Sequence, residues 1–146
     1  MRKRLKKNML LTFKSKMKNL EEENDQIEFV TQAEFTKQNN KYFVTFCDTE
    51  IFGNESPSKT MLKIEDEKVT LLRYGQNNTQ FIFEQGKKHT GQYETPYGAF
   101  SVGVFADRLS VDISDCGGNL DVSYGVYLND LISQYNELSI CLKEQN

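Results

Sequence analysis

Tryptophan is absent from this 146-residue chain, and proline, histidine and cysteine are scarce at two, one and three residues. These shortages narrow the chemistry. Cys47, Cys116 and Cys141 are odd in number, widely spaced and without a C-x-x-C pair, and His89 stands alone. Neither a disulfide framework nor a Cys/His zinc site can be assembled from them. Reduced thiols in a cytoplasm are the simplest expectation, with Cys47 serving as a small buried hydrophobe on its strand. No apolar run approaches the ~18 residues of a membrane-crossing helix. MRKRLKK opens like an export signal, but Met9, Leu10 and Leu11 alone follow before Thr12. That falls short of the roughly 7 apolar residues a signal core needs, so no export is expected. Phosphate-loop, dinucleotide and H-E-x-x-H patterns are missing as well. An enzyme is therefore not expected, and no cofactor or metal is implied.

Charge is present but uneven. Residues 1–20 carry eight of the eighteen Lys and Arg and no acid, while the remainder sets ten basic residues against twenty-one acidic ones. A basic arm from Arg2 to Lys18 could touch nucleic acid or an anionic surface. Its simpler reading is a tail over residues 1–8, followed by a strand whose outer face carries lysines and so resists edge aggregation. The acidic remainder argues against a broad phosphate-binding surface.

What the chain has in quantity is alternation. Met9, Leu11, Phe13, Ser15 and Met17 oppose Thr12, Lys14, Lys16 and Lys18, the period-2 pattern of a half-buried strand. The same pattern recurs in Ile27–Phe35, Thr60–Ile64, Val69–Arg73, Phe81–Phe83, Leu109–Ile113, Leu120–Leu128 and Leu138–Leu142, while Lys41–Ile51 reads as a strand with apolar groups on both faces, suggesting a more central position. Gln38-Asn39-Asn40, Glu65–Lys68, Gly75–Asn78, Gln85-Gly86-Lys87 and Cys116–Asn119 supply turns between them. Some eight to ten strands, turn signals about every ten residues and no substantial helix predict an all-β, antiparallel fold. Closure into one barrel over residues 9–146 is favoured, because an open sheet of so many strands would leave long edges.

The stretch Tyr93–Phe105, YETPYGAFSVGVF, concentrates the signals of a barrel corner. Pro96 biases Thr95 toward extended backbone and offers no N–H. Phe100, Val102 and Val104 then share one face. Gly103 on the other face predicts a bulge or a close approach.

Several pieces in this order resemble an uncharacterised bacterial family, the YwiB-like calycin-like β-barrels. They are YFVTFCDTE, KTMLKIE with KVTLLRYG behind it, YETPYGAF, and GGNLDVSYGVYL. The resemblance spans about Met9 to Lys143. It implies a closed barrel of the lipocalin or streptavidin kind and no established activity. Related barrels commonly hold small apolar molecules, which reaches this chain by analogy of fold.

Arg73 is the most informative single residue, since alternation points it inward with Val69 and Leu71. An inward guanidinium must be paired or sit at a wet mouth. Asp48 and Glu50, in phase with Tyr42, Val44 and Phe46, are candidate partners. Together they could orient a ligand's polar group, helped by Tyr93, Tyr97 and Tyr124. Set against this is a structural ion pair, or an arginine that has reached the strand end and solvent. The tyrosines, Tyr127 among them, could equally be core or rim packing, and His89, between lysines, a surface residue. Beside nucleic-acid binding through Arg2 to Lys18, two functions are in play. One is non-catalytic binding of a small apolar ligand in the barrel interior. The other is an interaction module with a packed interior, in its simplest form a homodimer. Filling of the interior by Phe29, Phe46, Phe81, Phe100 and Tyr124 would favour the second.

Overall fold

Strong alternation in β1 (Leu5–Asn19) and β2 (Asn24–Gln38) builds the longest hairpin wall of the protein. The computed structural model describes residues 5–19, 24–47, 59–75, 78–95, 98–129 and 131–145. Within them lie ten strands and no helix. The others are β3 (Lys41–Cys47), β4 (Lys59–Ile64), β5 (Lys68–Tyr74), β6 (Thr79–Glu84), β7 (Lys88–Thr95), β8 (Gly98–Ser114), β9 (Gly117–Leu128) and β10 (Leu131–Glu144). Each pairs antiparallel with its neighbour in sequence, and β1 pairs with β10 to close the barrel. The expected all-β closed barrel is what forms.

Two boundaries differ from the sequence reading. β1 begins at Leu5, so Leu5–Asn8 belong to the wall, paired with Glu34–Lys37, and not to a tail ending at residue 8. Leu5 and Lys7 continue the inward phase of Met9, and Lys7 is held by Glu144. Then Gly98–Ser114 is one strand, where alternation suggested two. Its inward phase passes from Val102, Val104 and Ala106 to Leu109, Val111 and Ile113, a change from even to odd positions caused by a bulge at Asp107. One extra residue there shifts every later side chain by one place.

Register also sorts the barrel by height. Turns at 39–40, 65–67, 85–87 and 115–116 gather at one end, and β1, β3, β5, β7 and β9 finish at the other, the mouth. Asn39 and Asn40 both adopt positive φ, 54° and 64°, in the tight hairpin between Gln38 and Lys41, as their side chains permit. The fully buried side chains, among them Met9, Leu11, Phe35, Leu62, Ile64 and Phe83, fill the half next to the turns. Each removes roughly 1.5–3 kcal/mol worth of apolar surface from water. A strap then crosses that end. The Tyr42 hydroxyl donates to Asp115 at 2.7 Å, and the Lys37 ammonium lies 3.0 Å from the same carboxylate.

The lysines of β1 face outward, as expected of a strand. Lys14 has Glu28 3.8 Å away, and Lys16 stands in register with Glu137. Acids on the neighbouring strands thus interleave with the basic stripe. Cys47 is exposed at the end of β3 and not buried as expected, because it falls on the outward phase between inward Phe46 and the strand end. At Gly103 the close approach is made by a side chain. A β-carbon there would lie 2.5 Å from Lys88 Cε, and the Lys88 ammonium reaches 4.6 Å from the centre of the Tyr127 ring.

Candidate functional site

Among the described residues, the buried polar side chains are Thr60, Arg73, Thr79 and Asn136, and all four lie in the mouth half. Thr60, Arg73 and Thr79 form one inward row across β4, β5 and β6, paired in register. Arg73 is 9 % exposed. It stands in phase with Val69 and Leu71, as alternation requires, and does not extend into bulk solvent. It lines a cleft of about 330 Å³ with Leu72, Tyr74, Asn78, Thr79, Gln80, Gln92 and Ala99.

A second cavity, of about 310 Å³, opens beside it between β6, β8, β9 and β10. Phe81, Val102, Tyr124, Val126 and Asn136 line its interior, and Phe100, Leu128, Ser133 and Gln134 its rim. Strand direction gives the depth order. Leu128 and Ser133 adjoin the connection between β9 and β10, and Phe100 stands near the start of β8, all at the mouth. Tyr124 and Asn136 are the deepest members on their strands and face each other in register. Tyr124 thus stands against Asn136, and the Asn136 amide donates to Gln134 Oε1 at 3.1 Å. Burial pushes the Tyr124 hydroxyl up to about 12, with Asn136 pulling weakly the other way, so the group is a neutral donor–acceptor at physiological pH.

Two aromatic clusters pack in the interior, and of the five residues expected to fill it, Phe29, Phe46, Phe81 and Tyr124 are buried. Phe13 stacks on Phe29 with centroids 4.8 Å apart, and Phe46 packs against both. Phe83 lies 4.5 Å from Tyr124, and Phe81 touches each at 6.3 Å. Phe100, expected inward, is 46 % exposed. It sits above the last ring of neighbours, where alternation still points inward but little faces it.

One seam of the wall is short. β6 pairs with β7 through Thr79–Tyr93 and Gln80–Gln92 alone. Toward the turns, side chains and β8 take over. His89 Nε2 lies 3.0 Å from Glu84 Oε1, Gly86 N–H donates to the Ala106 carbonyl at 2.8 Å, and Gln85 accepts from Leu109 N–H at 3.1 Å. His89 is accordingly half-buried, a rivet of this seam and not the surface residue expected. Lys87 and then His89 hold the Glu84 carboxyl below its usual range.

The sequence candidates therefore do not converge on one point. Arg73 and Tyr124 line different cavities. Tyr93 stands opposite Thr79 in the β6–β7 pairing, and its side chain lies outside the described part of the structure. Asp48, Glu50 and Tyr97 lie outside the described residues altogether. Asn136 escapes the sequence reading, although it continues the even phase of Leu138, Ile140 and Leu142, and a polar residue on that phase is the signal that could have found it. Among the described residues, no group of His, Cys, Asp or Glu is placed to hold a metal ion, and no helix is long and apolar enough to cross a membrane.

A family profile described as a domain of unknown function, DUF1934, matches residues 11–140. The crystal structure of the ywiB protein from Bacillus subtilis superposes with a TM-score of 0.83 at 17 % identity, covering 97 % of this chain and 94 % of that one. A search of curated proteins gives no match.

Proposed function

The chain belongs to the DUF1934 family, whose description carries no activity, and from the barrel's own geometry we propose that it binds a small, largely apolar molecule without catalysis. The observation that supports this best is the 310 Å³ cavity walled by Phe81, Val102 and Val126 in the mouth half. Its size falls at the lower end of small-molecule pockets, which are mostly apolar with a few placed polar groups.

Titration with the environment-sensitive dye N-phenyl-1-naphthylamine tests the reading. Saturable fluorescence enhancement is expected, and Val126→Trp, which fills the cavity, should abolish it. Absence of binding, or binding that survives Val126→Trp, overturns the reading.

A homodimer joined at the rim is the second reading. It draws on Leu131, 73 % exposed, beside Leu128 and Phe100 at 43 % and 46 %. Sedimentation equilibrium decides it: a monomer at all concentrations rejects it, and a dimer dissociated by Leu131→Asp supports it.

A further inference from the structure

The lining of the apolar cavity carries more than its size. We infer, resting on the binding reading, that the ligand is uncharged and enters polar end first, with a hydroxyl or carbonyl group at Tyr124 and Asn136 and an apolar tail that emerges over Phe100 and Leu128. Tyr124 and Asn136 supply polar groups at the floor among the apolar walls of Phe81, Val102 and Val126, while the rim sets Phe100 and Leu128 beside Ser133 and Gln134.

Among the described residues that line the cavity, none carries a charge. Arg73, a buried cation of the same half, belongs to the neighbouring cleft. A carboxylate or ammonium driven to this floor would be desolvated without a counter-charge, which is costly. A neutral hydroxyl or carbonyl meets what the floor does offer. The Tyr124 hydroxyl can donate or accept, the amide of Asn136 does both, and Tyr124 stays protonated to about 12. At the rim, Phe100 and Leu128 are nearly half exposed, and Leu131 stands opposite Leu128 in register. An apolar tail lying across them would cover surface that water now touches.

Displacement of N-phenyl-1-naphthylamine by 1-decanol and by decanoate at about pH 8, where the acid is ionised, gives the test. Decanol is expected to compete at concentrations roughly tenfold lower than decanoate. Because an alcohol suits any greasy pocket better than an anion, the deciding variant is Asn136→Leu. A purely apolar site would bind decanol more tightly after that change. Recognition at the floor predicts weaker decanol competition, by roughly fivefold, with decanoate unchanged. Tyr124→Phe, which removes a single oxygen, provides the same readout should Asn136→Leu not fold. Phe100→Ser should weaken decanol but leave 1-hexanol unaffected. Decanoate matching decanol, or tighter decanol binding in Asn136→Leu or Tyr124→Phe, overturns the inference while the binding reading stands. Loss of dye binding in the unmodified protein removes both.

Discussion

Gly91 lies directly against the ring of Phe81: a β-carbon at Gly91 would stand 2.8 Å from Phe81 Cδ1 and 3.0 Å from the Gln80 carbonyl oxygen. Phe81 is a wall of the apolar cavity, so the absence of one side chain on β7 sets the position of a ring on β6 where the ladder between them has ended. Gly91→Ala should cost about 1–3 kcal/mol, the range for overpacking, read as a lower urea midpoint. The displaced ring should also crowd the cavity and weaken dye binding.

Two glycines, one in the turn after β6 and one at the start of β9, separate backbone strain from collision. At Gly86, φ is 77° and a β-carbon would meet nothing within 4 Å. At Gly118, φ is 141° and a β-carbon would fall 1.9 Å from the Asp112 carbonyl oxygen. Gly86→Ala should therefore cost about 1–2 kcal/mol, the left-handed penalty alone. Gly118→Ala, carrying both, should exceed about 3 kcal/mol. Chemical denaturation of the pair measures the difference, and equal costs would contradict the geometry.

Acid should loosen the turn end first. The Tyr42 hydroxyl and then the Lys37 ammonium hold the Asp115 carboxyl below its usual value. A carboxyl depressed in the folded state contributes stability at every pH above its unfolded value, near 3.9, and that contribution fades as pH falls through the folded value. Asp115→Asn should lower the thermal midpoint by a constant amount from neutrality down to about pH 5. Below about pH 4 the two melting curves should converge. A difference that persists in acid would mean that charge at Asp115 is not what the strap uses.

The alkaline limb has the opposite sign. Tyr124 is raised by burial to about 12, so its stabilising effect is complete below the ordinary tyrosine value near 10 and is lost as pH rises toward 12. Tyrosinate absorbance should show one late-ionising group that disappears in Tyr124→Phe, and the variant should lose less stability than the parent between about pH 10 and 12. Early ionisation of every tyrosine would refute the burial of this one.

Much of this was legible in the sequence because a barrel wall obeys a period of two. Val69, Leu71 and Arg73 read as one face and are one face, and the same holds for Leu120, Val122, Tyr124 and Val126. Reading failed where the period broke. The bulge at Asp107 made one strand look like two. A single phase also cannot say how high on the wall a residue sits. Arg73 and Tyr124 both point inward, yet register, which no one strand contains, places them against different cavities. Phe100 shows the same limit, since inward means buried only where other strands rise to the same height.

The pairing of β1 with β10 over Met9–Asn19 reaches back to how the molecule comes into being. The barrel's two ends in sequence share one hydrogen-bonded edge, so a nascent wall carries an unmatched ribbon until β10 has left the ribosome. During that interval the long edge of β1 is open to partners other than its own. Its outward lysines, interleaved with acids in the finished hoop, are then the charges that keep two such half-made chains apart.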